Sequence, residues 1–134
     1  SVSDLARARA FYEGVFGFAF RNEMTIPDGA VTKMFDVSPP VGMQVAYLET
    51  EGLVLELLAF VDAGLTATRG RPFNEAGLTH LSLCVDDVDA AVAKAVELGG
   101  TYDADHSFPG VVARVRDPDG QLLELPPMGY RDTL

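Results

Sequence analysis

Two strongly apolar stretches of the chain each carry one carboxylate. Glu56 lies in Leu53-Val54-Leu55-Glu56-Leu57-Leu58, and Glu124 lies in Leu122-Leu123-Glu124-Leu125. Read as a strand, the first stretch alternates, with Leu53, Leu55 and Leu57 on one face and Val54, Glu56, Leu58 and Phe60 on the other. Both faces are apolar, so the strand is expected to be covered on both sides. A carboxylate there is costly unless a cation, a metal ion or hydrogen-bond donors meet it. Glu56 is therefore a metal ligand or catalytic base, or it pairs with an arginine or turns to solvent at a sheet edge. His80 lies in Thr79-His80-Leu81-Ser82-Leu83-Cys84-Val85, where alternation gives it one face with Ser82 and Cys84. That small polar face suits a cavity lining, although a strand histidine also serves purely structural ends. Glu56 and Glu124 stand 68 residues apart, at corresponding places near the ends of two halves. Two carboxylates and an imidazole from separate strands make a plausible ligand set for a divalent first-row metal.

The remaining reactive side chains carry less. His106 sits between Asp105 and Ser107 and is expected to be exposed, with Asp103 and Asp105 as surface charge. Cys84 reads as a small core residue, since no cation or helix start beside it activates a thiolate. The pairs Arg69/Arg71 and Arg114/Arg116 read as solvated cations, although either can hold a substrate carboxylate bidentately. The chain has no GxGxxG, P-loop, CxxC or HExxH pattern, which removes the common nucleotide-binding and zinc-peptidase readings.

The elements that position these residues repeat. Val2-Ser3-Asp4-Leu5 and Val85-Asp86-Asp87-Val88 open two helical segments with an offset of 83 residues, each beginning with side chains able to cap the first turn. Leu5, Ala8, Tyr12, Val15 and Phe16 form one apolar stripe, and Val88, Ala91, Val92, Ala95 and Val96 the other. Gly17 and the Gly99-Gly100 pair stop the two helices. Strands are predicted at Phe18 to Ile26, Met43 to Leu48 and Leu53 to Phe60. In the second half they fall at Leu78 to Val85, near Thr101-Tyr102, at Val111 to Arg116 and at Gln121 to Leu125. Pro27-Asp28-Gly29 and Thr50-Glu51-Gly52 read as turns, and Asp117-Pro118-Asp119-Gly120 as a tight hairpin. The first half lacks a counterpart of the strand that opens the second, so that strand is expected just upstream of Ser1.

Composition narrows the partners. With 134 residues, 48% of them hydrophobic and 22% charged, the chain is one folded domain and not a disordered one. A net charge of −10 repels phosphate backbones and anionic lipid, which argues against nucleic-acid and membrane-surface partners. No apolar run approaches the roughly 20 residues that span a bilayer, and the N-terminus shows no signal-peptide pattern. The single cysteine excludes an intrachain disulfide, and a reducing cytoplasm is the expected location.

Three segments together resemble the glyoxalase/bleomycin-resistance/dioxygenase group, the vicinal oxygen chelate superfamily. They are Val2 to Tyr12 with Phe16-Gly17-Phe18, Gly77 to Asp87, and Asp117 to Leu125. The resemblance is closest to glyoxalase I-like members. It implies an α+β fold of two βαβββ modules whose mixed sheet curls around a central cleft. The whole chain, 1–134, would be one such domain, with module one at 1–61, a linker at 62–77 and module two at 78–134. It implies that Glu56, His80 and Glu124 are metal ligands, with a fourth ligand on the strand expected before Ser1. The ion would be nickel, cobalt, manganese, iron or zinc.

The chemistry so implied is proton transfer beside a carbonyl through a metal-chelated enediolate, with Glu56 or Glu124 as the proton shuttle. The expected protein is a lyase or isomerase acting on a small oxygenated substrate, and a homodimer. The rival readings are an extradiol-type ring-cleaving dioxygenase, and a protein that sequesters a small ligand such as an antibiotic without catalysis. Retention of three ligand positions argues against the last. An anionic Glu56 added to the two-histidine, one-carboxylate set argues against the dioxygenase.

Overall fold

The computed structural model describes residues 1–66 and 72–133. In chain order the elements are α1 (Leu5–Phe16), β1 (Ala19–Ile26), α2 (Asp28–Phe35), β2 (Met43–Thr50), β3 (Leu53–Phe60), β4 (Leu81–Ser82), α3 (Val88–Glu97), β5 (Thr101–Tyr102), β6 (Ala113–Arg116) and β7 (Leu122–Leu125). Short 3-10 segments follow β5 at Ala104–His106 and close the chain at Met128–Thr133. The chain divides into two compact units, Ser1–Glu13 with Gly17–Ala67, and Gly14–Phe16 with Thr68–Leu134.

Matching caps start the two main helices. The Asp4 carboxylate accepts from Arg7 N at 2.8 Å, and the Asp87 carboxylate accepts from Ala90 N at 2.9 Å. Each satisfies a donor that the first helical turn leaves free. Gly17 ends α1 in the left-handed conformation at φ 67°, and Gly99, just past α3, adopts φ 88°. The predicted stripes are the buried ones along most of their length: Leu5, Ala8 and Tyr12 on α1, and Val88, Ala91 and Ala95 on α3. Val96 departs from that pattern and is exposed. Arg9 fastens α1 to β1, with its guanidinium 3.8 Å over the Phe20 ring and 3.2 Å from the Glu23 carboxylate.

The first unit holds a three-stranded antiparallel sheet in the order β1-β2-β3. Strand β2 is its centre, burying Met43 and Val45 on one face and Ala46 and Leu48 on the other. Helix α2 stands where the sequence suggested only a turn. Its Val31 is fully buried with Val41, Met43 and Val45, and Asp28 at its start accepts from Val41 N and Gly42 N, both at 3.1 Å. Strand β3 is not covered on both sides as expected. Leu53 and Val54 are exposed, as is Glu56, and burial begins at Leu57. The apolar start of β3 adjoins the two-residue turn at the sheet end, beyond the buried stretch of β2.

The second unit holds a four-stranded sheet, β4-β7-β6-β5, with the β4–β7 pair parallel and the others antiparallel. Strand β4 is much shorter than Leu78 to Val85. Among the described residues its only sheet neighbour is β7, which begins at Leu122, so residues before Leu81 find no ladder there to join. The duplication shows in single bonds. Val2 N donates to Leu58 O at 2.8 Å, and Val85 N donates to Pro126 O at 2.9 Å. In each half that bond lies two residues before a capping aspartate and two residues after a glutamate, Glu56 or Glu124. The α+β class agrees with the sequence reading.

The Asp117–Gly120 hairpin forms as predicted. Gly120 N donates to Asp117 O at 2.9 Å, and Gly120 takes φ 91°. Asp117 is only 5% exposed, and its Oδ1 accepts from Asp119 N and Gln121 N at 3.0 and 2.8 Å. Asp117→Ala strands those part-buried donors. It should destabilise the protein by about 1–3 kcal/mol, read as a lower denaturant midpoint, and an unchanged midpoint counts against this account.

Candidate metal and substrate site

Strand pairing decides which side chains meet. Residues directly opposite across two strands point to the same face. Ser82 and Arg114 both pair with Glu124, one from each side, so the three form a row across β4, β7 and β6. His80 precedes Ser82 by two residues and joins that face. Its Nε2 lies 3.8 Å from Glu124 Oε2, and Ser82 Oγ donates to the same oxygen at 3.1 Å. Thr79 Oγ1 sits 2.9 Å from Nδ1, which orients the ring and leaves Nε2 as the nitrogen facing Glu124. Both side chains are half-exposed. The opposite face of the same strands is apolar, with Leu123, Leu125, Val115 and Ala113 all buried.

In the first unit the same logic pairs Tyr47 with Glu56. The Tyr47 hydroxyl donates to Glu56 Oε1 at 2.7 Å. That bond, then burial, then the nearby negative charge raise the Tyr47 pKa above its usual 10.0. Tyr47 therefore stays a neutral donor through the physiological range. Glu56 is held by a hydroxyl, and no arginine pairs with it among the described residues.

The structure thus brings His80 and Glu124 together, while Glu56 belongs to the other unit. Within neither unit, among the described residues, do three His, Cys, Asp or Glu side chains gather at one possible ion site. The His80–Glu124 pair itself suits a metal. Two donors held about 2.1 Å from one ion lie roughly 3–4.2 Å apart, and the observed 3.8 Å falls in that range. One imidazole and one carboxylate are donors that first-row divalent ions accept.

His106 is exposed as expected, but Asp103 is not simple surface charge. Its Oδ1 lies 2.7 Å from His106 Nδ1, and its Oδ2 lies 3.5 Å from Arg114 Nη2. The His106 hydrogen bond first, and then the nearby cations, hold the Asp103 carboxyl below the ordinary carboxylate range. Cys84 is a free, partly buried thiol. Arg69 and Arg71 lie outside the described residues.

Sequence reading did not identify Tyr47, the role of Ser82 as a partner, or Phe73, whose ring lies 5.2 Å from that of His80. Tyr47 had a signal. The two-residue Glu51-Gly52 turn, with φ 41° and 83°, fixes the register that sets Tyr47 against Glu56.

A titration checks the Tyr47–Glu56 bond. Because the folded-state pKa is raised, the bond contributes stability below the ordinary tyrosine pKa and loses it as pH rises through the folded value. Tyr47, isolated as the difference between wild type and Tyr47→Phe, should form phenolate only above the usual range. Glu56→Gln should bring that ionisation back toward it. No movement in Glu56→Gln means the bond is not formed.

The family model of the Glyoxalase/Bleomycin resistance protein/Dioxygenase superfamily matches residues 1–125. The fold is similar to that of a glyoxalase family protein from Bacillus cereus, at a TM-score of 0.74 and 18% identity over 92% of this chain and 86% of that one. It is similar to the trypanothione-dependent glyoxalase I of Leishmania major, at 0.68 and 21% over 98% and 84%. It is also similar to the fosfomycin resistance protein FosX of Listeria monocytogenes, at 0.64 and 17% over 99% and 89%. A search of curated protein sequences finds no match. With the family model covering nearly the whole chain and the fold shared along it, the protein belongs to the Glyoxalase/Bleomycin resistance protein/Dioxygenase superfamily.

Proposed function

We propose that this chain is a metal-dependent lyase or isomerase of the glyoxalase I-like type, acting on a small oxygenated carbonyl compound. The observation that carries this is His80 Nε2 standing 3.8 Å from Glu124 Oε2 on one polar sheet face. It is supported by Glu56, which occupies in its own half the place that Glu124 occupies in the other. Glu56, His80 and Glu124 would hold one divalent ion: nickel, cobalt, manganese, iron or zinc. When bound, the ion supplies a Lewis acid to two neighbouring substrate oxygens.

The proton is moved by the chain's own groups. Glu124, with Ser82 donating to one of its oxygens, or Glu56, with Tyr47 donating, accepts the proton from the carbon beside the carbonyl and returns it at the neighbouring position. Thr79 keeps His80 turned toward Glu124 throughout. The same reading treats the two units as modules of one domain and the protein as a cytoplasmic homodimer. No helix among the described residues is long and apolar enough to cross a membrane. The exposed Leu53 and Val54, the latter 58% accessible, are apolar surface for a second copy to cover.

Metal content and proton exchange test the proposal together. Purified protein dialysed against each divalent ion should retain about one ion per chain or per site. His80→Ala should weaken retention by about a hundredfold or more. Exchange of the carbon-bound protons of hydroxyacetone with deuterated water should be catalysed by the loaded protein. Glu124→Gln should slow it by about 10²–10⁴-fold, a larger fall than its loss of metal. Failure to retain any ion removes the reading, and oxygen uptake with a catechol in place of proton exchange replaces it with ring cleavage.

A further inference from the structure

Arg114 is the one feature of the second unit's polar face that neither the metal pair nor the fold accounts for. It stands directly opposite Glu124 on β6. Its side chain is only 21% exposed, against the solvated cation expected from the sequence. A guanidinium so enclosed needs acceptors for its donors, because buried N–H groups are almost always paired. Arg114 lacks them. Its Nε is buried with no hydrogen-bond partner, and its Nη2 reaches Asp103 only at 3.5 Å. Asp103 cannot give more, since its other oxygen is engaged by His106 at 2.7 Å. Glu124, although opposite, is engaged by Ser82 and lies beside His80, and no ion pair joins it to Arg114 among the described residues.

Phe73 completes the surroundings. Its ring lies 4.9 Å from the Arg114 guanidinium carbon and 5.2 Å from the His80 ring, so one aromatic side chain rests on both groups. Phe73 is 53% exposed, and ring contacts tie it to the two residues it covers. The result is a guanidinium beside Glu124 with one aromatic ring against it.

We propose that Arg114 is a specificity-determining residue that binds a carboxylate of the substrate. It selects substrates in which that carboxylate lies one or two carbons beyond the pair of oxygens held at His80 and Glu124. The proposal rests on the reading of those two residues as metal ligands. An Arg fork takes a carboxylate through two parallel N–H···O bonds, and the incoming oxygen satisfies the orphaned Nε. Cross-strand neighbours have Cβ atoms about 5 Å apart, which matches the one- or two-carbon spacing. The substrate class is therefore a small hydroxy- or oxo-acid with a second, non-chelating carboxylate. The net charge of −10 makes such a local cation necessary for an anionic ligand to approach.

Two matched probes separate the possibilities. Lactate and malate chelate an ion through the same hydroxyl and carboxylate, but malate carries one carboxylate more. Cobalt-loaded protein should bind malate roughly ten- to a hundredfold more tightly than lactate. Arg114→Gln should abolish that preference, weakening malate binding by a much larger factor than lactate binding. Arg114→Lys keeps the charge without the fork and should retain only a small part of the preference. Should Arg114→Gln fail to fold, as read from its thermal melt, a full preference in Arg114→Lys overturns the proposal by itself. If cobalt is retained but malate is not preferred, or the preference survives Arg114→Gln, the role of Arg114 is wrong and the metal reading stands. If wild type retains no cobalt, the metal reading fails and the carboxylate anchor fails with it.

Discussion

The register of β7 between its two neighbours is the constraint on which the site depends. A strand's side chains alternate, so a slip of one residue on either ladder would carry Glu124 to the apolar face. Two ladders of opposite sense prevent that. On one side β4 runs parallel, with Leu83 N bonded to Glu124 O at 2.9 Å. On the other β6 runs antiparallel, entering through the hairpin that Asp117 holds shut. Leu123, Leu125 and Val115, fully buried on the far face, make any other register lose apolar burial worth several kcal/mol. The polar row of Ser82, Glu124 and Arg114 is thus ordered by the apolar row behind it.

Much of this was legible in residues with a single strong local signal. The capping aspartates, the glycines past the helices and the Asp-Pro-Asp-Gly hairpin each act through their own backbone neighbours, so the sequence alone placed them. The equivalence of Glu56 and Glu124 was legible because each is the single carboxylate of an apolar strand near the end of its half, although they stand 68 residues apart and the helix starts 83, and the matching bonds of Val2 and Val85 express the same correspondence in space. Helix α2 was not legible. It is eight residues long and opens on a Pro-Asp-Gly turn signal, and of Val31, Met34 and Phe35, which stand at helical spacing, it buries only Val31.

Other misses came from properties that only tertiary context sets. Alternation shows that Glu56 shares a face with Val54 and Leu58, but not that the start of β3 stays exposed. Nothing in the spacing of Arg114 and Arg116 distinguishes an enclosed guanidinium from a solvated one. Phe73, 41 positions away, and Asp103 both lie against the Arg114 guanidinium, contacts that no local spacing announces. The Asp103–His106 contact is likewise a product of the tight segment after β5, where a carboxylate and an imidazole three residues apart meet.

The two halves place a glutamate at the same point of the same frame but set different residues against it, a neutral phenol opposite Glu56 and a cation opposite Glu124. Those opposing residues sit on separate strands and are changed by single substitutions. A duplicated scaffold of this kind uncouples inheritance of the reactive carboxylates from inheritance of what surrounds them. Descendants of one ancestor can then diverge in what they accept by altering one opposing position, while the carboxylates and the ladders that carry them pass down unchanged.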